Sequence, residues 1–588
     1  MKQFLLGWLF ISTALPSFAQ SGHFSGSVQT NTNVFFRDTL INTAKFYETT
    51  KVGADAWMNL NYSNDKYGLD AGVRLDVFLN SIVRNPTAPF TGVGLGSFFI
   101  RKQIGDLTAT GGYIYDQIGT GIIFRTYEER PLGIDNALVG MKLNYNVKNL
   151  VNLKAFAGVQ KNQFTFYKAV IAGFNAEGNF SIKDKVKLQP GIGVVNRYMD
   201  KDAFDKLYST LQAYDSTTRF KPVYNAYAFS IYNTLTIGKV SIYAEAAFKS
   251  REAINGKVFN DSTHAVTDRL VNVPGSVIYA SLNYSTKGFG FTASFKRTDN
   301  FSFRTSPNER LFNGMISFIP PLSRQNSLRL PARYFAPSQE VRELAFASEI
   351  TYSPNKKWTF IANGSYVRDF LFKPWNTVIT QTTNGVTSTK PYHTFFGECY
   401  LSAAYRPSRK TEIELGFQYV RYNRLVYLGD GAQDMDVFTP FLEVMQRIGK
   451  KKSLRFEFQY QHISHVDPAD SKKRKATDFG QWVFLLAEFN IAPSWSFAVS
   501  DMWNFLPSEN SPNHINYFND LEAKSGTAKS LFAISRNHYP SVFVAYTYHQ
   551  HRFTLSYSKN VAGIVCTGGV CRFEPAFSGI KFTVNTNF

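Results

Sequence analysis

Apolar and polar residues alternate with a period of two over residues 67–79, and this pattern limits the possible folds more than any other feature. The odd positions are all apolar: Tyr67, Leu69, Ala71, Val73, Leu75, Val77 and Leu79. The even positions include Asp70, Arg74 and Asp76. Successive side chains of a strand point to opposite faces, so the pattern predicts a strand with one apolar face and one polar face.

The same pattern recurs along the chain and is interrupted by short turns. Residues 52–62 alternate in the same way, and only residues 63–66 separate them from the next run, which predicts a hairpin. Ten further short turns are predicted at residues 105–106, 148–149, 183–184, 238–239, 286–287, 353–357, 406–410, 449–452, 493–494 and 549–551. Eleven hairpins with a first strand at 23–36 and a last strand at 572–588 predict about 24 strands, with a range of about 22–26.

Most connections between these hairpins are longer. They are expected at residues 37–50, 81–94, 116–136, 199–220, 250–275, 299–339, 369–392 and 502–540. Short turns on one side and long loops on the other are typical of bacterial outer-membrane barrels, whose long loops are extracellular. The sequence therefore predicts an all-β protein that forms a single large antiparallel transmembrane β-barrel, with some long loops folded into the lumen.

The two ends of the chain indicate the same compartment. Lys2, an apolar run over residues 4–15 and the small-x-small site at residues 17–19 predict that residues 1–19 are a cleaved signal peptide. Residues 20–588 would then form the barrel, and its last strand alternates up to the terminal Phe588. The predicted location is the bacterial outer membrane.

The composition agrees with many half-apolar strands, because 44% of the residues are hydrophobic and 16% are aromatic. A net charge of +20 is often a sign of nucleic-acid binding, but an exported protein does not meet nucleic acid. Many basic residues lie at the predicted turns, where they would face anionic head groups; a specific anionic ligand is the alternative. The expected partners are outer-membrane lipid, lipopolysaccharide and other envelope proteins, and no nucleic acid.

Residues 116–136 hold one candidate site, because charges of both signs lie close together just after a predicted strand. They are Arg125, Glu128, Glu129, Arg130 and Asp135. Folded into the lumen, they would form a charged constriction. The alternative is an exposed loop with screened ion pairs.

The longest connection, residues 299–339, combines prolines with a group of basic residues: Arg304, Arg310, Arg324, Arg329 and Arg333. Prolines stiffen a loop, so this segment is expected to form an ordered plug or lid. The arginines could bind phosphate or carboxylate groups, on a solute or on lipopolysaccharide. Loop packing alone is the alternative.

The three cysteines suggest no large disulfide framework. Cys566 and Cys571 flank two glycines and are predicted to form a disulfide in an oxidising compartment. Cys399 lies in phase with apolar residues and is expected to face lipid. No catalytic, metal-ligating or cofactor-binding motif is recognisable, so no cofactor and no enzymatic activity are expected.

Two segments, residues 119–138 and 562–572, resemble an uncharacterised outer-membrane β-barrel family of the Bacteroidetes, known as a domain of unknown function. The resemblance implies a barrel and an origin, but no activity. From the residues themselves, the leading hypothesis is a porin-like channel for polar solutes, gated by inward loops. The alternative is a structural barrel that serves as a scaffold in an envelope complex for secretion or surface display.

Overall fold

The computed structural model describes residues 22–182, 185–260, 265–369, 381–383, 386–388, 394–428, 434–465, 480–507, 538–567 and 570–588. The predicted signal peptide and the predicted turn at 183–184 lie outside the described residues. So do most of the predicted connections at 369–392 and 502–540.

The described chain is dominated by long antiparallel strands. In chain order they are β1 His23–Phe35, β2 Val52–Asn64, β3 Leu69–Ser81, β4 Phe90–Ile104, β5 Leu107–Ile114, β6 Leu138–Val147, β7 Val151–Asn162, β8 Thr165–Gly178, β9 Val186–Tyr198, β10 Asn225–Ile237, β11 Val240–Asn260, β12 Ala265–Thr286, β13 Phe289–Asp299, β14 Arg342–Tyr352, β15 Trp358–Arg368, β16 Thr394–Tyr405, β17 Thr411–Asn423, β18 Asp434–Ile448, β19 Lys452–His465, β20 Gly480–Ile491, β21 Trp495–Pro507, β22 His538–Tyr548, β23 His551–Asn560 and β24 Phe577–Asn587. A short piece, Phe180–Ile182, continues β8 after a one-residue break.

These strands form one closed sheet. Each strand pairs with its neighbours in sequence, and β1 also pairs with β24, with a register from Phe35 opposite Gly579 to Ser27 opposite Asn587. The main sheet has 25 segments, and counting Phe180–Ile182 as part of β8 leaves 24 strands. The predicted antiparallel barrel of 24 strands is therefore confirmed. Closure leaves no sheet edge unpaired, which is the requirement for a strand structure in lipid.

The predicted short turns gather at one end of the barrel, called here the turn end. Most connections at the other end, the loop end, are longer, but residues 163–164 join β7 to β8 there by a tight turn. Ten of the eleven predicted short turns lie within the described residues, and each joins two consecutive barrel strands at the turn end. The last strand starts later than predicted, at Phe577, because Val570–Glu574 pairs instead with Gly563–Thr567 in a small separate hairpin.

One predicted connection was wrong. Residues 250–275 were expected to form a loop, but β11 and β12 continue through this region and remain paired from Glu252 opposite Val273 to Asn260 opposite Ala265. A register shift after Lys249 marks the start of this extension. Beyond the apolar belt both faces of a strand can contact water. The extension therefore lacks the alternation of apolar and polar residues by which the other strands were predicted.

The two faces of the wall differ as the alternation predicts. On β3, Val73 and Leu75 are 45% and 40% exposed on the outer face, whereas Arg74 and Asp76 are each 3% exposed on the inner face. Cys399 is likewise exposed on the outside, next to the buried Glu398. The outer surface is thus an apolar belt, and the inner surface carries charged and amide side chains that require partners.

Helical structure is minor. Helix α1 spans Lys201–Gln212 and is capped by Asp200, whose side chain accepts a hydrogen bond from the backbone N–H of Ala203. Helix α2 is the five-residue Arg424–Leu428. Short 3₁₀ turns occur at Lys45–Glu48, Asp65–Tyr67, Arg130–Leu132 and Pro331–Arg333. Two-stranded pairs outside the barrel sheet are Glu128–Glu129 with Ile134–Asp135 and Gln381–Thr383 with Val386–Ser388. None of the helices in the described part of the chain has the length and apolar content that a membrane span requires.

Candidate functional site in the occupied lumen

Residues 115–137, which join β5 to β6, fold into the barrel and are called here the first inserted loop. Ile118, Ile122, Ile123 and Phe124 of this loop are completely buried. The ring of Phe124 stacks on Phe156 of the wall with 4.2 Å between ring centroids. A run of apolar side chains inside a polar wall therefore builds a core within the lumen.

Polar contacts fix this loop to the wall at two places. At its start, the Asp116 carboxylate accepts from Lys142 Nζ at 2.8 Å and from Lys154 Nζ at 2.6 Å. Burial alone would raise the pKa of Asp116, but Lys154 and Lys142 outweigh burial and hold that pKa below its ordinary value. Further along, Glu245 of β11 accepts from the backbone N–H of Thr120 at 3.0 Å and from its hydroxyl at 2.6 Å.

Residues 300–341, which join β13 to β14, also enter the lumen and form the second inserted loop. Its two ends are paired, since Asn300 N donates to Val341 O at 2.6 Å and Phe301 N donates to Glu340 O at 2.7 Å. Between them the only regular structure is the turn Pro331–Arg333 and one isolated bridge. The loop is nevertheless ordered by packing, because Phe301, Phe303 and Ile316 are completely buried in the same core as the first inserted loop.

The two inserted loops hydrogen-bond directly to each other. Arg125 N donates to Ile316 O at 2.9 Å, and Phe318 N donates to Gly121 O at 3.0 Å. On the wall, Gln160 Nε2 donates to the carbonyl of Met315 at 2.6 Å. These contacts satisfy backbone groups that would otherwise be buried without partners. The loops therefore form one packed body inside the barrel.

The far part of the second inserted loop reaches strands that lie about a quarter of the way round the barrel from β13. Leu330 N donates to Gln459 Oε1 at 2.7 Å, and Gln461 Nε2 donates to Leu330 O at 3.0 Å. The Arg333 guanidinium lies 4.1 Å from the ring centroid of Trp482. These wall residues belong to β19 and β20, six and seven strands away from β13, where the loop starts. The loop is therefore anchored to a part of the wall distant from its own ends.

A group of charged residues joins the first inserted loop to the wall, and it is called here the charge cluster: Arg74, Asp76, Glu128, Arg130, Asp135 and Lys161. Arg74 is its centre, with its guanidinium 2.7 Å from Asp76 Oδ1, 2.7 Å from Glu128 Oε1 and 2.8 Å from Asp135 Oδ2. Lys161 Nζ lies 2.5 Å from Asp135 Oδ2, and Arg130 Nε lies 3.1 Å from Glu128 Oε1. Gly96 makes room for the cluster, because a Cβ there would collide with the Asp76 carboxylate.

The structure brings together three of the five residues proposed for a constriction. Glu128, Arg130 and Asp135 lie in the charge cluster, whereas Glu129 is half-buried beside it. Arg125 contacts other groups, since its guanidinium lies 4.0 Å from the ring centroid of Phe318 and 4.5 Å from that of Tyr127. Burial raises the pKa of Tyr127 to about 12.

Sequence reasoning placed Arg74 and Asp76 on the inner face without assigning them to a site, and it missed Lys161. Alternation with a period of two residues identifies which side chains lie on the inner face of a strand. It does not identify which loop contacts that face. Lys161 lies at the end of β7, where the alternation that marks inner positions is weakest.

The five arginines of the second inserted loop do not share one partner. Their contacts are Arg304 with Glu340, Arg310 with Asn255, Arg324 with Glu349, Arg329 with Asn560, and Arg333 with Gln461. Arg324 also lies 4.2 Å from the ring centroid of Tyr400. The contact of Arg304 lies within the loop, and the other four fix the loop to strands β11, β14, β23 and β19.

Cys566 and Cys571 lie directly opposite each other in the ladder of the hairpin formed by Gly563–Thr567 and Val570–Glu574. This register is the backbone arrangement that a bond between the two residues would need.

Two cavities that share several members of the charge cluster are stacked along the wall, and a third cavity, of about 440 Å³, meets the cluster only at Glu128. A cavity of about 830 Å³, the loop-end cavity, is lined by Trp57 and Asp76; one of about 290 Å³, the turn-end cavity, is lined by Asn61 and Gly72. In the ladder between β2 and β3, Trp57 faces Asp76, Asn59 faces Arg74 and Asn61 faces Gly72. Arg74 is thus at the level where one cavity ends and the other begins. Both cavities are lined by Arg74, Glu128 and Arg130.

A model of one protein family matches the chain over residues 1–588. The chain belongs to DUF6029, a family of unknown function. None of the curated proteins matches this DUF6029 chain in sequence.

Several solved structures resemble this DUF6029 barrel. The siderophore receptor PirA from Pseudomonas aeruginosa is 8% identical with a TM-score of 0.39, and the match covers 96% of this chain and 80% of that one. The copper transporter OprC is 7% identical with a TM-score of 0.41, covering 97% and 82%. The outer membrane protein opdK from Pseudomonas aeruginosa is 12% identical with a TM-score of 0.34, covering 73% and 99%.

Proposed function

We propose that this protein is a bacterial outer-membrane barrel that acts as a gated channel for small polar solutes. Two properties support the membrane location. The closed ladder leaves no unpaired edge, and the outer face of the wall is apolar, as at Val73 and Leu75. The predicted signal peptide and a Bacteroidetes origin are part of the same proposal.

The observation that carries the channel function is the position of the charge cluster between the two cavities. A path runs beside β2 and β3 from the loop-end cavity to the turn-end cavity, and Arg74, Glu128 and Arg130 lie where it is interrupted. Elsewhere in the described part of the lumen, the two inserted loops pack against the wall and against each other. The cluster is therefore the gate of this path.

The gate is closed by ion pairs between an immobile wall and a loop. Arg74 on β3 contacts Glu128 and Asp135, which lie on the two arms of one short hairpin. Separating them would expose the charges of both sides to a water-filled passage, which then selects solutes by size and charge. Removing one partner instead leaves buried charges uncompensated, at a cost of about 3–5 kcal/mol. Removal of one partner therefore destabilises the closed passage relative to the open one.

The test is single-channel conductance of the purified full chain in planar lipid bilayers. Arg74→Ala should convert a mostly closed barrel into one with larger or more frequent open steps, because it removes the centre of the gate. The matched control is Arg455→Ala. Arg455 is also an inner-face arginine with three carboxylate neighbours, Glu443, Glu457 and Glu488, but it lines neither cavity.

Two results would count against this proposal. One is equal conductance of the Arg74→Ala variant, the Arg455→Ala variant and the natural protein, which would refute the gate at the charge cluster. The other is silence of all three together with envelope proteins that co-purify in fixed ratio, which would favour the scaffold function instead.

A further inference from the structure

We propose that the loop-end cavity is a binding site for an organic anion that carries a ring, either an aromatic carboxylate or a sugar carboxylate. Passage of that solute through the gate rests on the channel function proposed above, whereas its binding does not. The proposal stands on the charge balance of the cavity, on one arginine that has no acidic partner in the described part of the chain, and on a group of aromatic rings beside that arginine.

The lining of the cavity is electropositive. Five cationic side chains line it, Arg74, Arg84, Arg130, Lys161 and Arg572, against three carboxylates, Asp76, Glu128 and Asp135. These lining groups carry a net charge of +2, and counting Glu574, the carboxylate partner of Arg572 just outside the lining, leaves +1. An anion is therefore favoured in a partly desolvated space of this kind.

Arg84 is the cation that has no carboxylate partner among the described residues. Its guanidinium donates to Gln163 Oε1 at 2.8 Å and to Asn162 Oδ1, and both acceptors are neutral amides. The other four cations of the lining each contact a carboxylate, as Arg572 contacts Glu574. Two amide oxygens orient the Arg84 fork without cancelling its charge, and N–H groups remain for the paired oxygens of a carboxylate or phosphate.

Aromatic rings lie next to this arginine. Phe78, Phe90 and Phe164 all line the cavity, and the ring centroids of Phe78 and Phe164 are 5.7 Å apart, those of Phe78 and Phe90 6.1 Å. Phe164 directly follows Gln163, which holds Arg84. The anion site and the rings are thus neighbours in the chain and in space.

Two glycines of β4 create the space for these rings. A Cβ at Gly94 would lie 2.6 Å from the Phe164 ring, and one at Gly92 would lie 2.7 Å from the Phe90 ring. With no side chain on these positions, the rings pack against the strand and leave the cavity open. Planar ligands stack on such rings.

The volume of the cavity and its remaining polar groups restrict the class of ligand further. A volume of about 830 Å³ is in the range of sites for small organic molecules and far larger than an inorganic anion needs. Amide side chains of Asn85 and Asn313 line the same space and can hydrogen-bond hydroxyl groups. The shared chemistry is a ring with an acidic group, whether the ring is aromatic or a sugar.

Isothermal titration calorimetry on the detergent-purified full chain tests the site with two matched ligand pairs. Benzoate is compared with benzyl alcohol, and glucuronate with glucose. We expect at least one of the two anions to bind about tenfold or more tightly than its neutral counterpart, because charge-assisted hydrogen bonds to Arg84 are lost without the acid group. The ligand pair in which the anion binds more tightly than its neutral counterpart shows whether the site prefers an aromatic ring or a sugar ring.

Three variants locate the binding. Arg84→Gln should weaken the anion about tenfold or more, whereas Arg409→Gln, an exposed arginine at the turn end, should leave it unchanged. Phe164→Leu should weaken the ring-bearing anion and leave the response to inorganic phosphate unchanged. Circular dichroism checks that each variant retains the barrel.

The outcomes separate this proposal from the channel function. Equal binding of acids and neutral counterparts, equal binding by the Arg84→Gln variant, or no binding of either acid would overturn the site, even if the barrel conducts. Binding that depends on Arg84 in a barrel that stays silent in bilayers would support the site and refute the channel.

Discussion

Arg74 Nη2 lies 2.8 Å from Asp135 Oδ2, and this contact joins strand β3 of the barrel wall to the first inserted loop. The two residues are far apart in sequence, yet both are part of one charge cluster whose members come from the wall and from the loop. A wall residue that is buried and charged needs such a partner, because an unpaired charge away from water is costly. The position of the loop and the charge of the wall are therefore coupled.

The first prediction concerns this coupling. In a double-mutant cycle, Arg74→Gln and Asp135→Asn should each lower the free energy of unfolding, and the double variant should lose about 1–3 kcal/mol less than the sum. Unfolding by denaturant from lipid vesicles measures the three values. The control cycle combines Arg455→Gln with Asp135→Asn, residues with no shared contact, and should be additive. Additivity in both cycles would show that the Arg74–Asp135 contact is energetically irrelevant.

The second prediction concerns the far anchor of the second inserted loop. Replacing Gln459 and Gln461 by Ala removes the side chains that hydrogen-bond both backbone groups of Leu330. Each group left buried without a partner costs about 1–3 kcal/mol, so this part of the loop should detach from the wall. Limited trypsin digestion should then cleave after Arg329 or Arg333, at a rate well above that of the natural protein.

The matched control for the far anchor is Gln446→Ala. Gln446 is a half-buried amide at the turn end of β18, and its hydrogen bonds are to Thr411 and Arg447 rather than to either inserted loop. It should leave the trypsin pattern unchanged. If both variants are cleaved alike, or neither is cleaved faster, the anchor does not hold the loop.

The third prediction is a pH dependence of the first inserted loop. Because Lys154 and Lys142 hold the pKa of Asp116 below the ordinary value of 3.8, the anchor contributes stability above that value and loses it as the pH falls through the lowered pKa. The stability difference between the natural protein and Asp116→Asn should therefore be constant between about pH 5 and pH 7 and vanish in stronger acid. A difference that already fades near neutral pH would contradict this assignment.

The fourth prediction concerns the cysteines. Since Cys566 and Cys571 are opposite each other in a hairpin, the protein isolated from an oxidising compartment should contain one disulfide between them. Alkylation of the unfolded, unreduced protein should add one label, on Cys399, and prior reduction should raise this to three. Mass spectrometry reads both values. Three labels without reduction would refute the disulfide.

The wall could be predicted from sequence because it follows a local rule. In a strand of alternating residues, such as 67–79, the apolar positions face lipid and the polar positions face the lumen. The same alternation recurs in the strands on both sides of the short turns. It fails at residues 250–275, where the paired strands β11 and β12 extend beyond the apolar belt and no longer need an apolar face.

The lumen could be predicted only in part, because its contacts join residues that are distant in sequence. The charges of residues 125–135 were recognisable, but their partner Arg74 belongs to a different strand and Lys161 to another. The contact of the second inserted loop with Gln459 depends equally on the final packing. Such contacts result from closure of the barrel and leave no local pattern.

The most direct test of an occupied, gated lumen is removal of the second inserted loop. Residues 302–339 can be replaced by a short glycine-serine linker, because Phe301 and Glu340 are already hydrogen-bonded and their strands remain adjacent. In planar bilayers the shortened barrel should carry large, steady currents, whereas the natural protein should conduct little. A natural protein that conducts as strongly as the shortened one, or a correctly folded shortened barrel that stays silent, would contradict a lumen closed by its own loops.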